Sequence, residues 1–186
     1  TFDGTGTNFA IYSSVATAVT LCLLDDDLNE MRIPMTEVDA YVWHVYVPQV
    51  RAGQRYGYRI DGPWDPMNGL RCDPSKLLLD PYAKAIEGQL KDSLSLLSYC
   101  SDDPLVLKGG DSAAATMHSI VVNPFFDWQG DHSPGHDYSE SIIYEAHIKG
   151  MTMRHPDVPE ELRGTYAGMA HPAIIEHLTK LGVTTV

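Results

Sequence analysis

Glu145 and His147 lie two residues apart in SIIYEAHI, residues 141–148, and so share one face if that run is a strand. A carboxylate beside an imidazole can hand a proton to or from a substrate. The same pair also suits a buried, hydrogen-bonded couple that orients the loop leaving the strand. His132 and His136 in DHSPGHD have a spacing seen in zinc sites. Pro134 and Gly135 forbid a helix there and no cysteine lies nearby to complete four ligands, so no metal is expected. Gly4 and Gly6 in DGTGTN are spaced like part of a nucleotide loop, but they precede a strand pattern with no helix behind it. No cofactor is expected. The carboxylate run Asp25, Asp26, Asp27 reads as a solvated hairpin turn rather than a catalytic cluster.

The elements that must carry these residues change character along the chain. From Asn8 to Ile60 the runs NFAIY, TAVTLCLL, MRIPM, YVWHVYV and QRYGYRI are short, rich in β-branched and aromatic residues, and separated by Asp, Asn and Gly turns. They predict a small antiparallel sandwich. Alternation puts Tyr41, Trp43, Val45 and Val47 on one inward face, and Tyr56, Tyr58 and Ile60 on another. Asp-Pro then recurs at 65, 73 and 80, each time restricting the residue before proline to extended or turn geometry. Asp80 as N-cap, Pro81 at the first helical position and Gly88 beyond the end predict a short helix between them. Residues 89–116, rich in Ser, Asp, Gly and Ala without a period, read as a long excursion or linker.

Near residue 141 the period changes. SIIYEAHI is a nearly continuous apolar strand, and HPAIIEHLTKLG places Ile174, Ile175, Leu178 and Leu181 on one helical stripe, opened by Pro172 and closed by Gly182. VTTV starts another strand. Residues 141–186 therefore predict a strand–helix–strand unit, which implies parallel pairing with a right-handed crossover. Two parallel strands need further strands and cover on both faces, so the chain is expected to break off inside an α/β domain.

Bulk composition narrows the partners. With 13 Lys plus Arg against 25 Asp plus Glu, the net charge of −12 repels phosphate backbones and anionic membranes, and no basic patch offsets it. Nucleic acid and membrane are excluded, and no apolar stretch approaches the roughly 20 residues of a spanning helix. Cys22, Cys72 and Cys100 are widely spaced with no Cys-x-x-Cys, as expected of buried thiols in a reducing compartment. No basic leader and apolar run precedes Thr1, and the cytoplasm is the expected location.

Five segments carry a resemblance. NFAIYSSVATAVTLCLLD, YVWHVYVPQVRAGQRYGYRIDGPWDP, KLLLDPYAKAI, IIYEAHIKGMT and HPDVPEELRGTYAGMAHPAIIEHLTKLGVTTV resemble, in order, the amino-terminal part of bacterial glycogen debranching enzymes of the isoamylase type, members of the α-amylase superfamily. Nearly all of the chain except residues 89–116 is covered. The resemblance implies an immunoglobulin-like β-sandwich of the carbohydrate-binding-module type over residues 1–88. An excursion and linker would follow over 89–140, then the start of a truncated (β/α)8 barrel over 141–186. Ile142 to Ile148 would be the first barrel strand, and Val183 would begin the second.

It further implies a glycoside hydrolase acting on α-1,6 branch linkages of glycogen or limit dextrin, with branched α-glucan and the missing remainder of the barrel as partners. The family's nucleophilic aspartate, acid/base glutamate and stabilising aspartate sit on later barrel strands. No catalytic residue is therefore assigned here, and the chain alone is expected to be inactive. On the barrel reading, Glu145 and His147 lie near the carboxyl end of the first strand, where such barrels build their sites. Tyr166, in the loop ELRGTYAGM, would rise on the same face.

YRIDGPW also resembles the sugar-binding site of glycogen-binding modules in kinase regulatory subunits, which assigns Trp64 and Tyr58 to carbohydrate. Gly57 departs from that pattern, standing where those modules carry a sugar-contacting lysine, and no second tryptophan lies in the Asp25 to Met31 turn. The alternative to a hydrolase fragment is a self-contained glycan-binding or structural sandwich module, against which residues 141–186 argue.

Overall fold

The computed structural model describes residues 1–186, which divide into two compact units, Thr1–Asp127 and Trp128–Val186. The first unit is a β-sandwich. One sheet orders β1 (Gly6–Tyr12), β5 (Val42–Pro48) and β4 (Glu37–Asp39). The other orders β3 (Glu30–Met35), β2 (Ala18–Leu24), β6 (Arg55–Asp61), β10 (His118–Ile120) and β9 (Ile86–Glu87), all antiparallel. A two-stranded ribbon, β7 (Trp64–Asp65) with β8 (Leu70–Arg71), stands apart.

Strand alternation explains the main core. Val19, Leu21 and Leu23 of β2 and Tyr56 and Tyr58 of β6 face Phe9 and Ile11 of β1, with Trp43, Val45 and Val47 packed at the margin. The expected inward stripe on β5 holds from Trp43 onward. Tyr41 departs from it: it precedes the strand at φ 68° and is exposed.

β2 reads as an unbroken apolar run because both of its faces are buried. Cys22 and Leu24 point away from the sandwich core into a second cluster with Leu77 and Ala113. That cover comes from residues 73–116, which are an excursion built into the first unit. Its one helix, α1 (Ser93–Leu96), is a single turn capped by Asp92. Polar anchors hold it down. Lys76, 2% exposed, donates from Nζ to the carbonyls of Ser95, Gly109 and Gly110 at 3.0, 3.0 and 2.7 Å. Ser112, fully buried, accepts from the Leu77 N–H at 2.9 Å.

The helix expected between Asp80 and Gly88 does not form. Asp80 caps a turn instead, accepting from the Tyr82 N–H at 2.8 Å, and Ile86–Glu87 pairs with β10. The cap and proline signals serve a turn equally well, and the ladder with β10 decides in favour of strand.

In the second unit the strand expected over 141–148 shrinks to one parallel bridge, Ile143 to Thr185. The Tyr144 N–H reaches the Thr185 carbonyl at 2.9 Å, and the Thr184 N–H reaches that of Ile142 at 3.0 Å. His147 ends the extended stretch by capping α2 (Ile148–Thr152). After α3 (Tyr166–Met169), α4 (Pro172–Lys180) starts at Pro172 as expected, with His171 as cap, and Gly182 follows its end at φ 72°. Ile174 and Leu178 are buried with Val158, whereas Ile175 and Leu181 are exposed, so the apolar stripe is narrower than its sequence.

Candidate functional site

The outer face of β3–β2–β6 is where the sugar-binding pattern would lie, and the excursion fills it. Arg59 is buried and donates from Nε to Glu30 Oε2 at 3.0 Å and from Nη2 to Asp111 Oδ1 at 2.8 Å. Burial acts to raise the Glu30 carboxyl, but hydrogen bonds from Arg59 and Arg32 outweigh it and hold the group below the usual range. Asp111 is held low in the same way, burial being offset by Arg59 and by the Ala113 N–H. Beside this network Gly57 lies under Leu77, and Leu78 exchanges backbone hydrogen bonds with Tyr58 at 2.8 and 2.9 Å. Cys22, on the same face, is pushed up to about 11 chiefly by burial, which makes it an unreactive packing thiol.

Tyr58 corrects the sequence-based assignment. It is 0% exposed, within the sandwich core, and its hydroxyl has no hydrogen-bond partner. A side chain sealed between two sheets has no face to offer a sugar ring. Trp64 is half-buried and opens β7 opposite Arg71, with its indole N–H donating to the Leu105 carbonyl at 2.8 Å. Nearby, the Arg71 guanidinium lies 5.5 Å from the Tyr99 ring centroid. Trp64 and Arg71 thus hold the 99–107 loop, itself closed by a bridge from Tyr99 to Leu107.

Glu145 and His147 are both exposed in this chain. The His147 ring is engaged locally, Nδ1 accepting from the Gly150 N–H at 3.1 Å. Tyr166, at the start of α3, is 80% exposed.

A cleft of about 400 Å3 opens on the first unit, lined by Phe9, Tyr12, Tyr56, Asp80, Tyr82 and Lys84 among others. Sequence reasoning missed it. The signal was present in DPYAK, where an aromatic and a lysine follow Asp-Pro, but assigning a helix there hid the turn that presents them.

Comparison with known proteins shows what the chain is similar to. Residues 1–83 match the family model for carbohydrate-binding module 48, the isoamylase N-terminal domain. Over its whole length the chain is 55% identical to a glycogen operon protein GlgX homolog of Mycobacterium tuberculosis, covering 26% of that protein. It is 48% identical to a glycogen debranching enzyme of Yersinia enterocolitica, again over the whole chain, covering 27% of the enzyme. The chain thus spans about a quarter of the length of these relatives. Among solved structures, it is similar to the pullulanase of Bacillus acidopullulyticus, with a TM-score of 0.65 and 22% identity over 100% of this chain and 20% of that one. A Klebsiella pneumoniae pullulanase complexed with maltotriose aligns with a TM-score of 0.64 and 22% identity over 96% of this chain and 16% of the other. At such identities these two matches speak for the module's fold alone.

Proposed function

We propose that this chain is the amino-terminal part of a glycogen-debranching glycoside hydrolase that cleaves α-1,6 branch linkages of glycogen or limit dextrin. The observation that carries the reading is identity of 55% and 48% to GlgX-type and debranching proteins across every segment of the chain, the α-helical unit included. A binding module alone has no use for residues 128–186.

On this reading the second unit is the start of a (β/α)8 barrel. The parallel bridge between Ile143 and Thr185, on either side of α4, supports it: parallel pairing across an intervening helix is the βα-barrel repeat in miniature. Glu145, His147 and Tyr166, all exposed in this chain, would border the substrate site. The chemistry belongs to carboxylates on later strands, because a retaining glycosidase needs two carboxyl groups about 5–5.5 Å apart across the scissile bond. Branched α-glucan and the rest of the barrel are the partners. Three free cysteines, none paired, favour the cytoplasm. No helix is long and apolar enough to cross a membrane.

The sandwich itself is foremost a structural domain at the Trp64 position, since the indole N–H there is committed to Leu105. The test is hydrolysis by the complete polypeptide. Reducing ends should appear from branched dextrin with the complete protein and not with residues 1–186. Release by this chain alone, or none by the complete protein, overturns the reading.

A further inference from the structure

The cleft on the first unit has features that the filled outer face lacks. Its floor is rigid: the Asp80 carboxylate accepts from the Tyr56 hydroxyl at 2.8 Å through Oδ2 and from the Tyr82 N–H at 2.8 Å through Oδ1, while the Asp80 N–H donates to Ser119 Oγ at 2.9 Å. Tyr56 also packs edge-on against Phe9, with ring centroids 4.9 Å apart. The rim is aromatic and exposed, Tyr12 at 57% and Tyr82 at 75%. Alternation on β1 turns Asn8, Ala10 and Tyr12 outward while Phe9 and Ile11 face the core, and the Tyr12 ring meets that of exposed Tyr41 edge-on at 6.3 Å. Lys84, exposed beside Tyr82, is a further donor.

We propose that this cleft binds a short stretch of α-glucan chain, separately from the Trp64 position; the inference rests on the carbohydrate-binding reading of the module. A sugar ring offers two kinds of surface, an apolar C–H face and a belt of hydroxyls. Tyr12 and Tyr82 supply flat faces for the first. Asp80, Asn8 and Lys84 supply acceptors and donors for the second, and each Asp80 oxygen keeps a lone pair beyond its intramolecular bond. A volume of about 400 Å3 lies within the range of small-ligand pockets and places a few polar groups among apolar walls. A neutral oligosaccharide brings no charge to a chain of net charge −12, which an anionic ligand would have to overcome.

The test is titration of the 186-residue chain with maltoheptaose, followed by amide and tyrosine ring chemical shifts. Shifts should concentrate at Tyr12, Tyr56, Tyr82 and Lys84, and Tyr12→Ala with Tyr82→Ala should weaken binding by about tenfold with the fold unchanged. Tyr138→Ala, at a 97% exposed tyrosine in the second unit, should leave binding as it was. Absence of any shift at the cleft overturns the proposal, as does binding lost on Trp64→Ala but kept in the double tyrosine variant. Neither outcome touches the debranching reading, which hydrolysis by the complete protein tests on its own.

Discussion

Gly57 and Leu77 are so close that a Cβ on the glycine would lie 2.9 Å from Leu77 Cδ1, and as close to the Leu78 carbonyl oxygen. The outer face at Gly57 is therefore sealed by the protein's own chain. Leu77 Cδ1 is the end of a flexible side chain and can swing, but the Leu78 oxygen is backbone held by Tyr58.

Gly57→Ala should consequently destabilise the first unit by about 1–3 kcal/mol through overpacking, and Gly57→Lys by more. Thermal unfolding checks it. A Gly57→Lys variant that keeps its melting temperature and gains affinity for maltooligosaccharides would show that the excursion is easily displaced from this face.

Trp64→Ala should free the 99–107 loop, because the bond to the Leu105 carbonyl goes with the indole. Amide exchange should speed up at Cys100, Val106 and Lys108, whose N–H groups close that loop and tie it to Ser98, while β2 and β6 stay protected. Trp43→Ala acts on the sandwich instead: it packs against the core, so its loss should cost toward the lower end of the about 3–5 kcal/mol seen for large aromatics, being only half-buried. If Trp64→Ala left exchange unchanged and abolished glucan retention, Trp64 would be a sugar platform and not a loop anchor.

Acid should loosen the outer-face network. Glu30 and Asp111 have folded-state values below their ordinary 4.5 and 3.8, so their contribution is present above those values and is lost as pH falls through the lower folded ones. Glu30→Gln removes one of the two contributions. The variant should be less stable at neutral pH, because Arg59 stays buried with a weaker partner, and its stability should fall less than that of the native chain as the solution is acidified through the carboxylate range. Parallel stability curves for the two proteins would refute the assignment.

Ile174 is fully buried against Val158 and Leu178 in a unit of small core. Ile174→Ala should cost about 2–5 kcal/mol, enough to unfold residues 128–186. In a two-dimensional amide spectrum the peaks of that unit should collapse while those of β2 and β6 persist. Retention of native dispersion across α4 would mean that this cluster is not what holds the second unit.

The strands were legible because β-branched and aromatic runs and the turn residues between them agree from Asn8 to Ile60, even where β2 does not alternate. Helix α4 was legible because Pro172 and Gly182 bracket it. The outer cover was not. Nothing in the composition of residues 89–116 signals that Lys76 will be solvated by the Ser95, Gly109 and Gly110 carbonyls, or that Asp111 will meet Arg59 from 52 residues away. These are long-range pairings without a local period. The turn at Asp80 was misread because its cap and proline serve helix and turn alike, and only the ladder of Ile86 with β10 distinguishes them. Tyr58 was misassigned for a different reason: the motif gave it to carbohydrate although alternation already turned it inward with Tyr56, and its pairing with Leu21 lies in that sealed core.

Linkage chemistry is the deciding property of the complete protein. The complete protein that carries this chain should release linear maltooligosaccharides from α-1,6-branched limit dextrin and leave unbranched α-1,4 chains intact, as followed by chain-length analysis of the products. Cleavage of unbranched amylose with branch points untouched would contradict it.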